Sequence, residues 1–289
     1  MTDVVYPVLS CDWVEQNRSQ TDSIRIIESD EDIPLYEQGH IAGAVKLDWT
    51  TDLQDAVVRE YVMSQTRFEK LCAERGVSNE TIVVFYGDKN NWWACYAFWV
   101  FKLFGHTKCL SMNGGRKKWE LDKRPMTRDA SKYPRGIWKS KEPNNSVRAS
   151  RDEVLAHMKA RKPQVDVRSP GEYTGELVNM PDYPQEGVLR AGYIPGAVNV
   201  PWSRACNDDA TVKSRDQFEQ LDLVDQQLKP SDEIIASRRI GERSSLTWYV
   251  LTFLLGFSNV KNHDGSSTEW GNLVNAPTEQ AYAYARLCG

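Results

Sequence analysis

His40-Ile41-Ala42-Gly43-Ala44-Val45 returns as Tyr193-Ile194-Pro195-Gly196-Ala197-Val198, an offset of 153 residues from position 40 to position 193. Each copy runs on to a tryptophan, Trp49 and Trp202, at the same offset. Further along, Leu254-Leu255-Gly256 answers Leu103-Phe104-Gly105 and Asp264-Gly265 answers Asn113-Gly114, both 151 residues apart. Self-similarity at one spacing over most of a chain means one fold laid down twice. The length of 289 residues suits two domains better than one, since domains commonly run to ~100–200 residues. We place the first domain at 1–124 and the second at 148–289. Residues 125–147 carry Pro125, Pro134, Pro143 and Asn144-Asn145-Ser146 and read as an extended linker over the surface.

Within each copy, β-branched runs alternate with helical patterns. Strands are predicted at Ile24–Ile27, Ala44–Leu47, Thr81–Tyr86 and Cys109–Met112, then at Gln164–Val167, Ala197–Val200, Glu233–Ala236 and Val260–His263. The alternation implies an α/β fold in which each domain is a mostly parallel sheet flanked by helices. Trp92 to Phe104 is apolar nearly all round, the pattern of a buried helix, expected between the two domains. In the second copy the face Leu246, Val250, Phe253, Leu254 predicts a helix ending at Gly256.

Composition narrows the function. Hydrophobic residues make up 40% and charged residues 26% of the chain, an ordinary globular balance that excludes a disordered or fibrous protein. A net charge of -4 gives no electrostatic reason to bind nucleic acid or an anionic membrane. The apolar run Ala94 to Phe101 stops at Lys102, far short of the ~20 residues of a membrane span. No basic-then-apolar leader opens the sequence, so a cytoplasmic location is expected. The six cysteines form no Cys-x-x-Cys pair and the four histidines no ligand spacing, so neither a disulfide framework, a metal site nor a cofactor is expected.

The chemistry is expected in the loop 237–245, Ser237-Arg238-Arg239-Ile240-Gly241-Glu242-Arg243-Ser244-Ser245, between a strand and a helix. Such a loop aims backbone N–H groups and the positive end of a helix dipole at one spot, a cradle for an anion. Open α/β sheets also bind ligands at the carboxyl ends of their strands. Arg239 and Arg243 add positive charge, Gly241 permits tight turning and Glu242 offers an acceptor. A solvated basic face is the competing reading.

Here the chain resembles the tandem rhodaneses of the thiosulfate and 3-mercaptopyruvate sulfurtransferase family, in particular the bacterial thiosulfate sulfurtransferase branch. The resemblance rests on stretches spread over nearly the whole chain, among them Glu37-Gln38-Gly39-His40-Ile41-Ala42-Gly43-Ala44, Asn113-Gly114-Gly115-Arg116-Lys117-Lys118-Trp119, Asp166-Val167-Arg168-Ser169-Pro170 and Arg239-Ile240-Gly241-Glu242-Arg243-Ser244-Ser245. It implies a structural first domain and a second domain whose loop follows Cys-x-x-Gly-x-Arg. In the family that cysteine becomes a persulfide and passes sulfur to a thiophile such as cyanide. Gly241 and Arg243 match the pattern, whereas Arg238 occupies the cysteine position. Ser237 stands where tyrosine is common and Leu246 where histidine is common. An arginine has no lone pair with which to hold sulfur.

The resemblance also puts Asp166 and Arg168 beside the loop, either in the site or as an ion pair that ties loops together. The expected binding set for a small anionic substrate or ligand is Arg168, Arg238, Arg239, Ile240, Gly241, Glu242, Arg243 and Ser244. Asp166 and Glu242 are candidate proton carriers and Arg238 a clamp for developing negative charge. Three readings follow: a repurposed enzyme, a non-catalytic module for an anion or a protein partner, and a sulfurtransferase using a displaced nucleophile, Cys206. Ser169-Pro170-Gly171-Glu172 reads as a capping box. The insertion Leu177 to Arg190 has no partner in the first copy and is a candidate pocket cover or a plain surface loop.

Overall fold

The five-residue strands are built around isoleucine and valine, which suits a sheet buried on both faces. The computed structural model describes residues 7–55, 57, 62–179, 187–219 and 228–280. Contacts divide the chain into two units, Met1–Asn145 with Cys206–Lys213, and Ser146–Ala205 with Ser214–Gly289.

The first unit holds β1 (Val8–Leu9), α1 (Cys11–Asn17), β2 (Ile24–Glu28), α2 (Leu35–Gln38), β3 (Ala44–Lys46), α3 (Gln65–Glu74), β4 (Ile82–Tyr86), α4 (Trp92–Leu103), β5 (Cys109–Met112) and α5 (Gly115–Leu121). Its five strands lie in the order β1-β5-β4-β2-β3, all parallel. All five residues of β2 are buried. In α4 only Lys102 escapes burial, so the helix is covered on every side as its composition predicts. Phe98 and Phe101 meet Phe85 of β4 edge-on. The two-residue β1 carries too little pattern to be seen in the sequence; it exists because Val8 and Leu9 pair with Ser111 and Met112.

The stretch 125–147 is extended and irregular, yet much of it is docked. Trp138 is buried, edge-on to Phe68 and His106. Tyr133 covers the guanidinium of Arg25 at 3.2 Å and donates its hydroxyl to the Gly43 carbonyl at 2.6 Å. Two aromatic anchors turn a composition suited to a free linker into a strap on the first unit.

The second unit holds α6 (Arg151–Lys159), β6 (Gln164–Asp166), α7 (Pro170–Thr174), β7 (Ala197–Asn199), α8 (Arg215–Glu219), β8 (Glu233–Ser237), α9 (Gly241–Tyr249), β9 (Asn259–Asn262) and α10 (Ser266–Trp270). Its four strands lie in the order β7-β6-β8-β9, again all parallel. That order repeats β3-β2-β4-β5 of the first unit. A capping box closes the start of α7, with Ser169 and Glu172 bonded reciprocally and Pro170 in the first turn. The helix predicted to end near Gly256 begins at Gly241 and passes into a π-helical turn over Val250–Leu254. The wider turn rotates the apolar stripe, so Phe253 and Leu254 are only half-buried while Trp248, Tyr249 and Leu251 are buried.

Candidate anion cradle at the carboxyl ends of the second sheet

The crossover from β7 to β8 passes over β6, so the connections after β6 and after β8 leave in opposite directions. Their carboxyl ends therefore flank the crevice in which open α/β sheets place ligands. Asp166 and Ser237 are paired across this boundary, which brings the stretches 166–168 and 237–245 together although 71 residues separate those two positions in sequence.

The loop between β8 and α9 is held from behind. Arg238 N–H donates to Ser266 Oγ at 3.0 Å. Ser267 and Thr268, in the first turn of α10, donate backbone N–H groups to the carbonyls of Arg238 and Arg239 at 2.7 and 2.8 Å. Gly241 is required by close approach: a Cβ there would lie 2.8 Å from Asp264 Cα. Asn262 Nδ2 donates to the Gly241 carbonyl and to Ser245 Oγ, both at 3.1 Å. The loop carbonyls are thus satisfied. By contrast, α9 starts at Ile240 with no side-chain cap, and the N–H groups of Ile240, Gly241 and Glu242 form no hydrogen bond among the described residues. Uncapped N–H groups at a helix start are donors for an anion.

Three arginines gather on one carboxylate. Glu242, which is 1% exposed, accepts at Oε1 from Arg238, the shortest of the contacts, and from Arg239 at 3.3 Å. Arg243 Nε lies 3.8 Å from the same oxygen, and its guanidinium sits 5.3 Å from the Trp202 ring centroid. Arg238 itself is 0% exposed. The carboxylate that offsets it is Glu242, four residues on.

Asp166 is held elsewhere. Arg168 Nε donates to both Asp166 oxygens at 3.0 Å and its Nη2 to Oδ2 at 2.6 Å. The same Nη2 reaches the Gly192 carbonyl at 2.7 Å. Of the two roles open for this pair, the structure displays the ion pair that ties a loop down. Neither residue presents its charged end to the cradle in this arrangement. Ser237 is buried with Oγ unbonded, and Leu246 is buried on α9. The insertion after Leu177 lies outside the described residues over 180–186; at its far end Arg190 is bonded to the Ala276 carbonyl.

Cys206 falls with the first unit. Burial pushes its thiol up to about 12, which leaves almost no thiolate near neutrality. The other described cysteines, at 11, 72, 95 and 109, are also buried and also in the first unit. Among the described residues the second unit contains no thiol. The clusters of His, Cys, Asp and Glu among the described residues include none able to hold a metal, and no described helix is long and apolar enough to cross a membrane.

The two-fold repeat is matched by the comparisons with known proteins. Residues 10–122 and 150–273 match the rhodanese-like domain family. The chain belongs to that family. It is 50% identical over 274 residues to the sulfur carrier protein TtuD of Thermus thermophilus, covering 93% of this chain and 95% of that protein. It is 52% identical over 272 residues to a Mycobacterium bovis protein assigned by name as thiosulfate sulfurtransferase 1, covering 94% and 97%. In fold it resembles the 3-mercaptopyruvate sulfurtransferase SseA of Escherichia coli, with a TM-score of 0.77, 23% identity and coverage of 90% and 98%. EanB is similar in fold as well, with a TM-score of 0.84 at 20% identity, covering 96% of this chain and 70% of that one. This rhodanese-family chain is thus an α/β protein of two tandem domains, each with a parallel sheet flanked by helices.

The equivalent crevice of the first domain is filled by its own acids. Gly87 approaches Ser29 so closely that a Cβ would lie 2.0 Å from its carbonyl oxygen. The Asp88 carboxylate accepts from the N–H groups of Glu31 and Asp32 at 2.7 and 3.1 Å, and Asp88 N–H donates to Asp30 at 2.7 Å. The Asp88 carboxylate thereby ties the loop after β4 to the loop after β2.

Burial, then the neighbouring Glu28 and Asp88 charges, pushes Asp30 up to about 10. The folded domain therefore keeps a proton there that the unfolded chain releases above ~4. Stability from this group is full below that pH and declines as pH rises toward the folded value, by at most ~1.4 kcal/mol per pH unit. Asp30→Asn, a permanent mimic of the protonated form, is expected to flatten this decline and to raise Tm at alkaline pH. Thermal unfolding across a pH series checks it; an unchanged slope in the variant would assign the dependence to another group.

Proposed function

We propose that this chain is a cytoplasmic rhodanese-family protein that binds a small oxyanion or carboxylate at the start of α9 and performs no persulfide transfer through loop 237–245. The observation that carries this reading is the combination at one loop of an uncapped helix start, the arginines at 239 and 243, and a buried arginine at 238. No described thiol exists in the same unit. In the family resemblance, position 238 belongs to the sulfur-carrying cysteine. An arginine there keeps the electrostatics of the cradle and removes its nucleophile.

Binding is favoured over a repurposed reaction because both candidate proton carriers are committed as acceptors. Asp166 is clamped by Arg168 and Glu242 is shared among arginines. Withdrawing either carboxylate as a base would leave a buried cation without its partner. Transfer through Cys206 is disfavoured by its burial and its raised pKa. The names of the relatives, a sulfur carrier and a thiosulfate sulfurtransferase, make thiosulfate and related sulfur oxyanions the first ligands to try.

Thiosulfate, sulfate and phosphate are expected to raise Tm with the logarithm of their concentration above Kd, through ~2.7 kcal/mol of linkage at a hundredfold excess. Arg243→Ala is expected to remove that shift while leaving the fold intact. Differential scanning calorimetry on both proteins is the check. An equal shift in the two would show a general salt effect and defeat the proposal.

A further inference from the structure

Gln164 opens β6, at the amino-terminal end of the strand whose other end meets the cradle. Its register partner is Ala197. In the first domain the repeat-equivalent alanine, Ala44, is paired with Ile26, a core residue. One domain thus has an isoleucine and the other a glutamine at the same place in the sheet. Gln164 is 2% exposed, and among the described residues neither Nε2 nor Oε1 has a hydrogen-bond partner. A primary amide carries two donors and two acceptor sites, and buried polar groups are ordinarily bonded. An unbonded amide at a core position is therefore a site awaiting a partner.

Gln164 lines a cleft of about 660 Å3, within the usual size of a small-molecule site. Met158, Pro195 and Val198 supply apolar walls. Lys159, Arg161 and Lys162 stand at the same cleft, and among the described residues no acidic one lines it. Lys162 is paired with Glu233; Lys159 and Arg161 form no ion pair among the described residues. An apolar slot, a buried amide without a partner among its lining residues, and two cations beside it together suit a planar base joined to a phosphate.

We infer that this cleft binds an adenine nucleotide. The Gln164 amide matches the N6–H donor and N7 acceptor of adenine, a pairing that the two acceptors of guanine do not offer. Lys159 and Arg161 hold the phosphate. The site is separate from the cradle at the carboxyl ends of the strands and does not depend on what binds there.

Isothermal titration of the full chain with AMP, GMP, adenosine and inorganic phosphate tests this. AMP is expected to bind more tightly than the other three. Gln164→Ile, which installs the first domain's own residue, is expected to weaken AMP by about 10-fold or more, the low end for losing a bidentate contact to a base. The Tm of this variant is expected to equal or exceed that of the unaltered protein. Lys159→Ala with Arg161→Ala is expected to reduce AMP to the level of adenosine, and Arg243→Ala to leave AMP binding unchanged. Four results would each overturn the inference: no heat with AMP, GMP or phosphate binding as well as AMP, AMP affinity unchanged in Gln164→Ile, or a lowered Tm in that variant, which would mean the fold itself uses the amide.

Discussion

After incubation with thiosulfate, the intact mass of this protein is expected to be unchanged, and cyanide is expected to release no thiocyanate from it. The reason is chemical. Sulfur transfer in the rhodanese family needs a thiolate, and position 238 is a guanidinium with every nitrogen protonated. The complementary expectation is a gain. Arg238→Cys places a thiol at the start of α9, beside Arg239 and Arg243, where the helix terminus and the cations favour the thiolate. The backbone that holds it needs no change, because Ser266 Oγ and the N–H groups of Ser267 and Thr268 bind residues 238 and 239 through main-chain atoms. Thiosulfate should then add one cyanide-labile sulfur atom per chain. The nearby Glu242 opposes the thiolate, and Ser237 and Leu246 depart from the residues common in the family, so the triple variant Ser237→Tyr, Arg238→Cys, Leu246→His is expected to load at least as fully. A labile sulfur on the unaltered chain would refute the proposed function. Failure of both variants to load would show that the path of the loop, and not residue 238 alone, excludes the reaction.

The second large effect concerns stability. Glu242 is the common acceptor of the arginine cluster, and removing one partner of a buried ion pair typically costs about 3–5 kcal/mol because the other charge remains buried. Glu242→Gln is expected to destabilise the second domain by that amount. Arg238→Met should cost far less, since Glu242 keeps Arg239 at 3.3 Å and the long apolar replacement fills the buried space. Urea unfolding followed by the fluorescence of Trp248 and Trp270, both buried in the second unit, measures the two. An order of effects opposite to this, with Glu242→Gln neutral, would show that the arginines rest on other acceptors and that the cluster is not built around this carboxylate.

Much of the architecture was legible in the sequence because it follows from local pattern. Cys109–Met112 is the strand expected, six others differ by one residue at one end, and Val260–His263 is shifted by one residue to Asn259–Asn262. The burial of α4 follows from its composition, and the box at Ser169 and Glu172 from four consecutive residues. The two-residue β1 and the π-helical turn were not legible, since one depends wholly on its neighbour and the other on how the end of α9 packs. Docking of 125–147 was hidden by its prolines, while the anchors that decide it, Tyr133 and Trp138, are single residues without periodicity.

For the site, the repeat at 40 and 193 determined that one fold occurs twice, the stretches spread along the chain carried the resemblance to the family, and the loop's own residues determined that it carries arginines and no thiol. Those are properties of residue type and order, which a sequence states directly. Which charge meets which was decided only by the tertiary structure. Arg238 meets Glu242 because the loop leaving β8 folds its guanidinium back against the first turn of α9, and Asp166 is unavailable because Arg168 folds back on it. Cys206 and the unbonded amide of Gln164 depend likewise on what the parallel crossovers place beside them. Side chains far apart in a chain pair by direction and distance after folding, and neither is written in the order of the residues.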